Sequence, residues 1–501
     1  MTALLLLPLD DRPVNCAVPR QLGAVAGEAL VLPPPALLGR FLRPGDADAL
    51  AAWLSSHLDA ARGGILALDM LAYGGLVASR TPVTPVDEAL ARLAVLRRAK
   101  ARRPELRLSA FSVIMRLTIT GHDAETRAAG RDIFRYSVLR DRAERLGEAD
   151  AAAELPAVEA RIPPALLAAY LAARARNHAV NRAALDLLAA GVLDFLALVQ
   201  EDTAPAGLHV AEQAALAAYA RERVADACWR LYAGTDEAAQ TLLARAVLRE
   251  RGLDWRAHPV HEDPAAAAHP ARFEDVPLAE TVRRHVDAVG ARAGAGTTLA
   301  VHTFAPPQPD LFEMAPLPDP TWEAALAAYP PRDGAWLARL PAPLAVADVA
   351  YCNGGDPHLL HALLDGGRYT VLHGYAGWNT AGNTLGTALA HAALRAAALA
   401  GGVTLAMEAA HRDALFTRLL DDGLYQPIVR GWAAARAQEI GASPLNLRDD
   451  APRVEAWVNA AMQALWRSLC ARYPAAAQLD RPFRAVLPWG RLFEVGIAPG
   501  T

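Results

Sequence analysis

A chain of 501 residues that is 53% hydrophobic and 21% charged can bury a large core and reads as globular rather than disordered. Its formal net charge of −4 supplies no general pull toward nucleic acid or an anionic membrane. Cys16, Cys228, Cys352 and Cys470 show neither C-x-x-C spacing nor the density of a disulfide scaffold, so reduced thiols are expected.

Taken in chain order, the apolar run at residues 3–7 is too short for a signal-peptide core or a membrane span, which points to cytoplasmic residence. Principal strands are expected near 3–7, 64–69, 107–113, 193–199, 228–233, 297–303, 344–350 and 370–375, with a short one near 29–32. Helical periodicity fills most of the gaps, for example at 46–61, 86–100, 164–190 and 210–227. Strand and helix in alternation give an α/β class with a parallel sheet and right-handed crossovers. Eight such strands favour a (β/α)8-like barrel with a helical C-terminal region; a doubly wound open sheet is the alternative. The expected division is a catalytic barrel at 1–385 and a mainly helical region at 386–501. Residues 256–276, rich in His, Pro and Ala, read as an excursion without a strand or helix period.

The strand-like runs repeatedly end in polar loops, and in parallel α/β folds those loops share one face. Asp10-Asp11-Arg12 follows the first run; Arg12 would neutralise one acid, and Pro13 suits the first turn of a helix. Asp69, followed by Tyr73-Gly74-Gly75, closes the second, and a buried acid there needs a partner such as Arg80 or Arg116. Glu201-Asp202 ends the 193–199 run. Adjacent acids can split their pKa values so that one donates a proton, although a helix cap beside a solvated acid is the plainer role. Asp236, Asn353 and Asp356 lie in later loops. Trp378-Asn379-Thr380-Ala381-Gly382-Asn383 offers a flat apolar face with paired amides at Asn379 and Asn383, suited to sugar rings and their substituents; a packed Trp with Asn helix caps is the structural alternative.

Neither a dinucleotide nor a P-loop fingerprint occurs, G-x-S-x-G is missing, and the histidines form no H-E-x-x-H, so no cofactor and no tightly held zinc are expected. Asp10, Asp69, Asp348 and Asp356 could instead hold Mg²⁺ or Mn²⁺ in a metal-dependent hydrolase, lyase or isomerase.

The strings Pro8-Leu9-Asp10-Asp11-Arg12-Pro13, Leu68-Asp69-Met70-Leu71-Ala72-Tyr73-Gly74-Gly75, Gln200-Glu201-Asp202-Thr203, Tyr232-Ala233-Gly234-Thr235-Asp236 and Gly377-Trp378-Asn379-Thr380-Ala381-Gly382-Asn383 together resemble the bacterial domain-of-unknown-function 4127 family over almost the whole chain. That family usually has Gln-Asp-Asp where Gln200-Glu201-Asp202 stands here, and its name implies no activity. The strand and double acid ending at Asp202, with Trp378-Asn379 and Asn383 later, also resemble the family-84 β-N-acetylglucosaminidases. Those are (β/α)8 barrels in which the substrate's acetamido oxygen attacks the anomeric carbon. The resemblance implies Glu201 as the residue orienting that group, Asp202 as the general acid/base, and Asn379 and Asn383 as sugar ligands. The expectation is a retaining, substrate-assisted glycoside hydrolase acting on a small-molecule or oligosaccharide substrate, with Glu201 and Asp202 catalytic and Asp10, Asp11, Arg12, Asp69, Tyr73, Asp236, Asn353, Asp356, Trp378, Asn379 and Asn383 binding. A non-catalytic carbohydrate-binding protein is the further alternative.

Overall fold

The computed structural model describes residues 3–500. The chain forms two compact units. The first takes the residues up to Asp11, Glu28–Leu243 and Phe273–Asp275; the second takes Arg12–Gly27, Ala244–Arg272 and the residues from Val276 onward. The stretch 386–501 therefore shares its unit with residues that precede it, and position 385 falls inside the helix Ala381–Gly401.

The first unit is built on β1 (Leu4–Leu7), β2 (Leu30–Val31), β3 (Gly63–Ala67), β4 (Arg107–Ile114), β5 (Phe195–Gln200) and β6 (Trp229–Ala233). They lie in the order β2-β1-β3-β4-β5-β6, every neighbouring pair parallel. All residues of β1, β3 and β5 are buried, which is why these strands read as continuous apolar runs instead of alternating ones. The helix Ala47–Leu58 shows how the layer above is fixed. The Asp46 carboxylate accepts from Ala49 N at 3.0 Å to cap it, and Ala47, Leu50, Leu54 and Leu58 form its buried stripe. Each such leucine contributes roughly 1.5–3 kcal/mol when fully buried.

The second unit contains β7 (Arg256–His261), β8 (Arg292–Ala293), β9 (Thr297–His302), β10 (Leu344–Asp348) and β11 (Gly374–Ala376) in the parallel order β8-β7-β9-β10-β11. A hairpin of β12 (Phe483–Val486) and β13 (Gly496–Pro499) follows the helices. The helix Ala451–Arg472 packs Val454, Val458, Met462, Leu465, Trp466 and Leu469 into a core with Phe416, Leu419 and Leu424. Between them runs a π-helical stretch, Leu419–Val429, buried throughout and with Pro427 inside it.

The fold is thus α/β with parallel sheets, and in place of one (β/α)8-like barrel the strands divide between two open sheets. Among the described residues no pairing closes either sheet on itself. In each sheet the second strand lies outside the first and the third on its other side, which is the doubly wound order. Residues 256–261, expected to be an excursion, are the strand β7. Pro259 is tolerated there because pairing with β8 covers only Arg256 and Ala257. Gly294 N donates to Ala257 O on the β8 side and Glu262 N to Val301 O on the β9 side; alternation puts position 259 on the β8 side, past the end of β8, so no ladder bond is lost.

Candidate functional site

Open parallel sheets bind ligands beyond the carboxyl ends of their strands, above all where strand order reverses. That crevice lies between β1 and β3 in the first unit and between β7 and β9 in the second. The sequence-expected residues divide accordingly: Asp10, Asp11, Asp69, Tyr73, Glu201, Asp202 and Asp236 belong to the first unit, and Arg12, Asn353, Asp356, Trp378, Asn379 and Asn383 to the second.

In the first unit Asp69 is 1% exposed and its Oδ2 accepts from Val113 N at 2.9 Å. Burial pushes its pKa up to about 7; the Val113 N–H and the Arg176 charge oppose the rise and the Glu201 charge adds to it. Arg176 also lies over the Tyr73 ring, 4.0 Å from its centroid, and donates to Ser79 O at 2.6 Å. Neither Arg80 nor Arg116 serves Asp69 as a hydrogen-bonded partner. Arg80 instead binds both oxygens of Glu201 and donates to Thr120 at 2.8 Å, while Arg116 meets Asp202 at 2.5 Å and Glu201 at 3.8 Å. The adjacent acids are therefore held by two guanidiniums, with Asp236 close enough to act on Arg116. Glu201 is nearly sealed and Asp202 is about one quarter exposed.

In the second unit Pro13 does open a helix, Pro13–Val25, and the preceding Arg12 contacts Glu494 at 3.2 Å. The switch point carries His302, held between Asp356 (Nε2 to Oδ2, 3.0 Å) and Glu262 (Nδ1 to Oε2, 2.6 Å, an ion contact outside hydrogen-bond geometry). Burial alone would lower the His302 pKa. Contacts with Asp356 and Glu262, together with the Asp348 charge, prevail and push it up to about 9. Asp348 is raised to about 6, first by burial and then by Asp356, although His302 opposes the change. Its Oδ2 accepts from Asp356 N at 2.7 Å and from the Tyr375 hydroxyl at 3.2 Å, and Asp356 in turn caps the helix Pro357–Asp365 through His358 N at 2.8 Å.

Beyond β10 and β11, Asn353 and Asn379 both adopt left-handed backbone, φ 66° and 54°, and Asn353 N donates to Asn379 O at 2.8 Å. Non-glycine residues held in this region cluster at functional sites, and Asn is among the least penalised there. Both line a pocket of about 120 Å³ together with Trp378, Arg418, Asp421, Gln426 and Glu494, against an apolar wall that includes Val14, Val18, Phe493 and Ile497. Trp378 is fixed by Nε1 donating to Thr387 at 3.2 Å and by Thr384 Oγ1 accepting from its backbone N at 3.0 Å. Asn383 is not in the lining; its amide donates to Thr380 at 3.1 Å beside the start of the helix.

Sequence reasoning missed Glu262, Arg418, Asp421, Asp422 and Glu494. The one available signal was Asp421-Asp422-Gly423, two acids interrupting an apolar run. Of the four candidate Mg²⁺ ligands, Asp10 and Asp69 lie in one unit and Asp348 and Asp356 in the other, and no group of three or more His, Cys, Asp or Glu set to hold a metal occurs among the described residues. Nor is any helix among them long and apolar enough to cross a membrane.

No curated protein matches the chain. A solved structure, the carboxyl transferase domain of Rhizobium etli pyruvate carboxylase with 3-bromopyruvate, aligns with 88% of this chain and 53% of its own at 13% identity and a TM-score of 0.20; this chain thus spans about half that protein's length, and so low a score carries no argument. The family-84 likeness gains no support from these comparisons, and the two strings that suggested it stand on different units. Residues 4–498 match the family described as "Protein of unknown function (DUF4127)", and the chain belongs to that family.

Proposed function

We propose that the protein is a carbohydrate-active enzyme, a glycoside hydrolase holding one sugar residue in the pocket of the second unit. The lining carries this reading: Trp378 lines the pocket together with Asn353, Asn379 and Gln426, and Asp421, Glu494 and Arg418 complete its polar side. A sugar ring presents a C–H face for stacking and hydroxyls that pair with planar donors and acceptors. About 120 Å³ is small beside the several hundred typical of drug-sized sites, which favours a single ring.

Placing the acid in the first unit instead, with Asp202 as the donor and Glu201 as the orienter, is favoured by one observation: Asp202 is the more exposed of the two. A panel of aryl glycosides that includes N-acetylhexosaminides, run on the wild type, Trp378→Ala and Asp202→Asn, tests both. The pocket reading expects Trp378→Ala to lose about tenfold or more in kcat/KM, roughly 1.4 kcal/mol, with Asp202→Asn losing less. A loss of about 10²-fold in Asp202→Asn on poor leaving groups would transfer the acid to the first unit. Sugar binding without turnover would identify a carbohydrate-binding protein, and turnover abolished by chelator a metal-dependent enzyme.

A further inference from the structure

Arg418 presents one guanidinium to two carboxyl groups: Nη2 meets Asp421 Oδ2 at 3.1 Å and Nη1 meets Asp422 Oδ1 at 2.8 Å. One positive charge cannot neutralise two adjacent carboxylates, and a dyad sharing one cation in a dry site holds a proton between its members. Neighbouring acids strengthen the imbalance, while one hydrogen bond to each carboxyl favours its ionised form. Asp421 accepts from Gln426 at 2.9 Å and feels Glu494, which Arg12 and Arg491 contact from their own side. Asp422 accepts from Gly377 N at 2.8 Å and faces Asp348 of β10, with the Tyr369 and Tyr375 phenols nearby. The two acids differ in access: Asp422 is fully buried, whereas Asp421 lines the pocket. They also stand in the π-helical stretch, a geometry frequent at functional sites.

We propose that Asp421 is the proton donor of the pocket and that Asp422, sealed behind it and sharing Arg418, is its positioning residue. The assignment rests on the reading of the pocket as a sugar site. In the step it implies, the Asp421 proton passes to the glycosidic oxygen as the bond from that oxygen to the anomeric carbon breaks, both electrons leaving with the oxygen. A water oxygen bonds to the anomeric carbon and gives one proton to Glu494, the other carboxyl group of the lining; Glu494 then releases that proton to solvent and Asp421 takes one back, which restores both groups. The direction of both titrations agrees with this role: burial first, with Glu494 acting on Asp421 and with Asp421 and Asp348 acting on Asp422, raises both groups against the opposing pull of Arg418 and of the Gln426 and Gly377 hydrogen bonds.

Two measurements keep the donor separable from the sugar reading. Infrared difference spectra through a pH titration without substrate should show, at neutral pH, the carbonyl band of a protonated buried carboxyl that is missing from both Asp421→Asn and Asp422→Asn. In turnover, Asp421→Asn should lose about 10²-fold or more on alkyl glycosides and far less on a dinitrophenyl glycoside, whose leaving group needs no proton. Asp422→Asn should move the basic limb of the kcat/KM profile down by about one pH unit, because the charge repelling Asp421 is gone and Arg418 serves Asp421 alone. A band unchanged in both variants, or Asp421→Asn turning over both substrates like the wild type while Trp378→Ala is impaired, overturns the donor and leaves the sugar pocket standing. No turnover of any glycoside by the wild type overturns both.

Discussion

Replacing Asp69 by Asn should change how stability depends on pH, by an amount the structure sets. The carboxyl is buried, it accepts from the Val113 N–H, and burial first of all pushes its pKa up to about 7 from the ordinary 3.8. A carboxyl raised on folding binds its proton more tightly in the native state, so it costs nothing below the unfolded pKa. Stability then falls as pH rises from about 4 to about 7, and the loss is constant above that. A difference of about 3 units corresponds to about 4 kcal/mol. Asn keeps an acceptor for Val113 N but carries an amide N–H₂ that needs partners of its own, at roughly 1–3 kcal/mol if left unmade. The two corrections act differently: the amide cost is the same at every pH, whereas the ionisation cost appears only as pH rises. The difference in stability between variant and wild type should therefore shift in favour of Asn by up to about 4 kcal/mol between pH 4 and pH 8. Urea unfolding at both pH values, followed by circular dichroism, measures it. Curves for the two proteins that stay parallel with pH would show that Asp69 is not held protonated by burial.

His302 shifts stability in the same direction, in a higher pH window, because its protonated form is the charged one. Raised on folding to about 9, it contributes stability that is fully present below about pH 6.5 and disappears as pH climbs through 9; roughly 3 kcal/mol is at stake. Thermal melts of the wild type should fall across that window, and His302→Gln should melt lower at pH 6 yet show a flatter profile; equal slopes would count against a charged His302. Gly355 tests the packing beneath the pocket, since a Cβ there would lie 2.5 Å from the Tyr375 hydroxyl and 3.1 Å from Asp348 Oδ2. Gly355→Ala should cost about 1–3 kcal/mol, and a melting temperature equal to the wild type's would contradict the close approach.

Strands buried on both faces were legible because they must be apolar at every position, as in β1 and β5. β7 was not, since a central proline and two histidines read as loop until the shortness of β8 is known, and that is a property of the partner strand. Without β7 and β8 the second sheet had no first pair, and the strands left over could be counted as one barrel. The site divides along the same line. Trp378 and Asn379 stood out because rare, functionally loaded side chains followed a strand. Asp421 and Asp422 did not, because their apolar flanks match any buried helix and their meaning lies in a single guanidinium four residues before Asp422 that both must share.

Ionic partnership is decided by strand order more than by local sequence. Asp69, which precedes Arg80 in the chain, takes its positive field from Arg176, while Arg80 reaches 121 positions onward to Glu201 and Arg116 turns to Asp202. With β3, β4 and β5 adjacent and parallel, the residues just past their carboxyl ends are neighbours, and each acid takes the cation that the sheet sets beside it. A carboxylate at a strand end marks where chemistry can occur; whether it donates a proton or only holds an arginine follows from the ratio of cations to acids around it. At Glu201-Asp202 that ratio is two to two, and at Asp421-Asp422 it is one to two, which is the physical reason to look for the proton in the second unit.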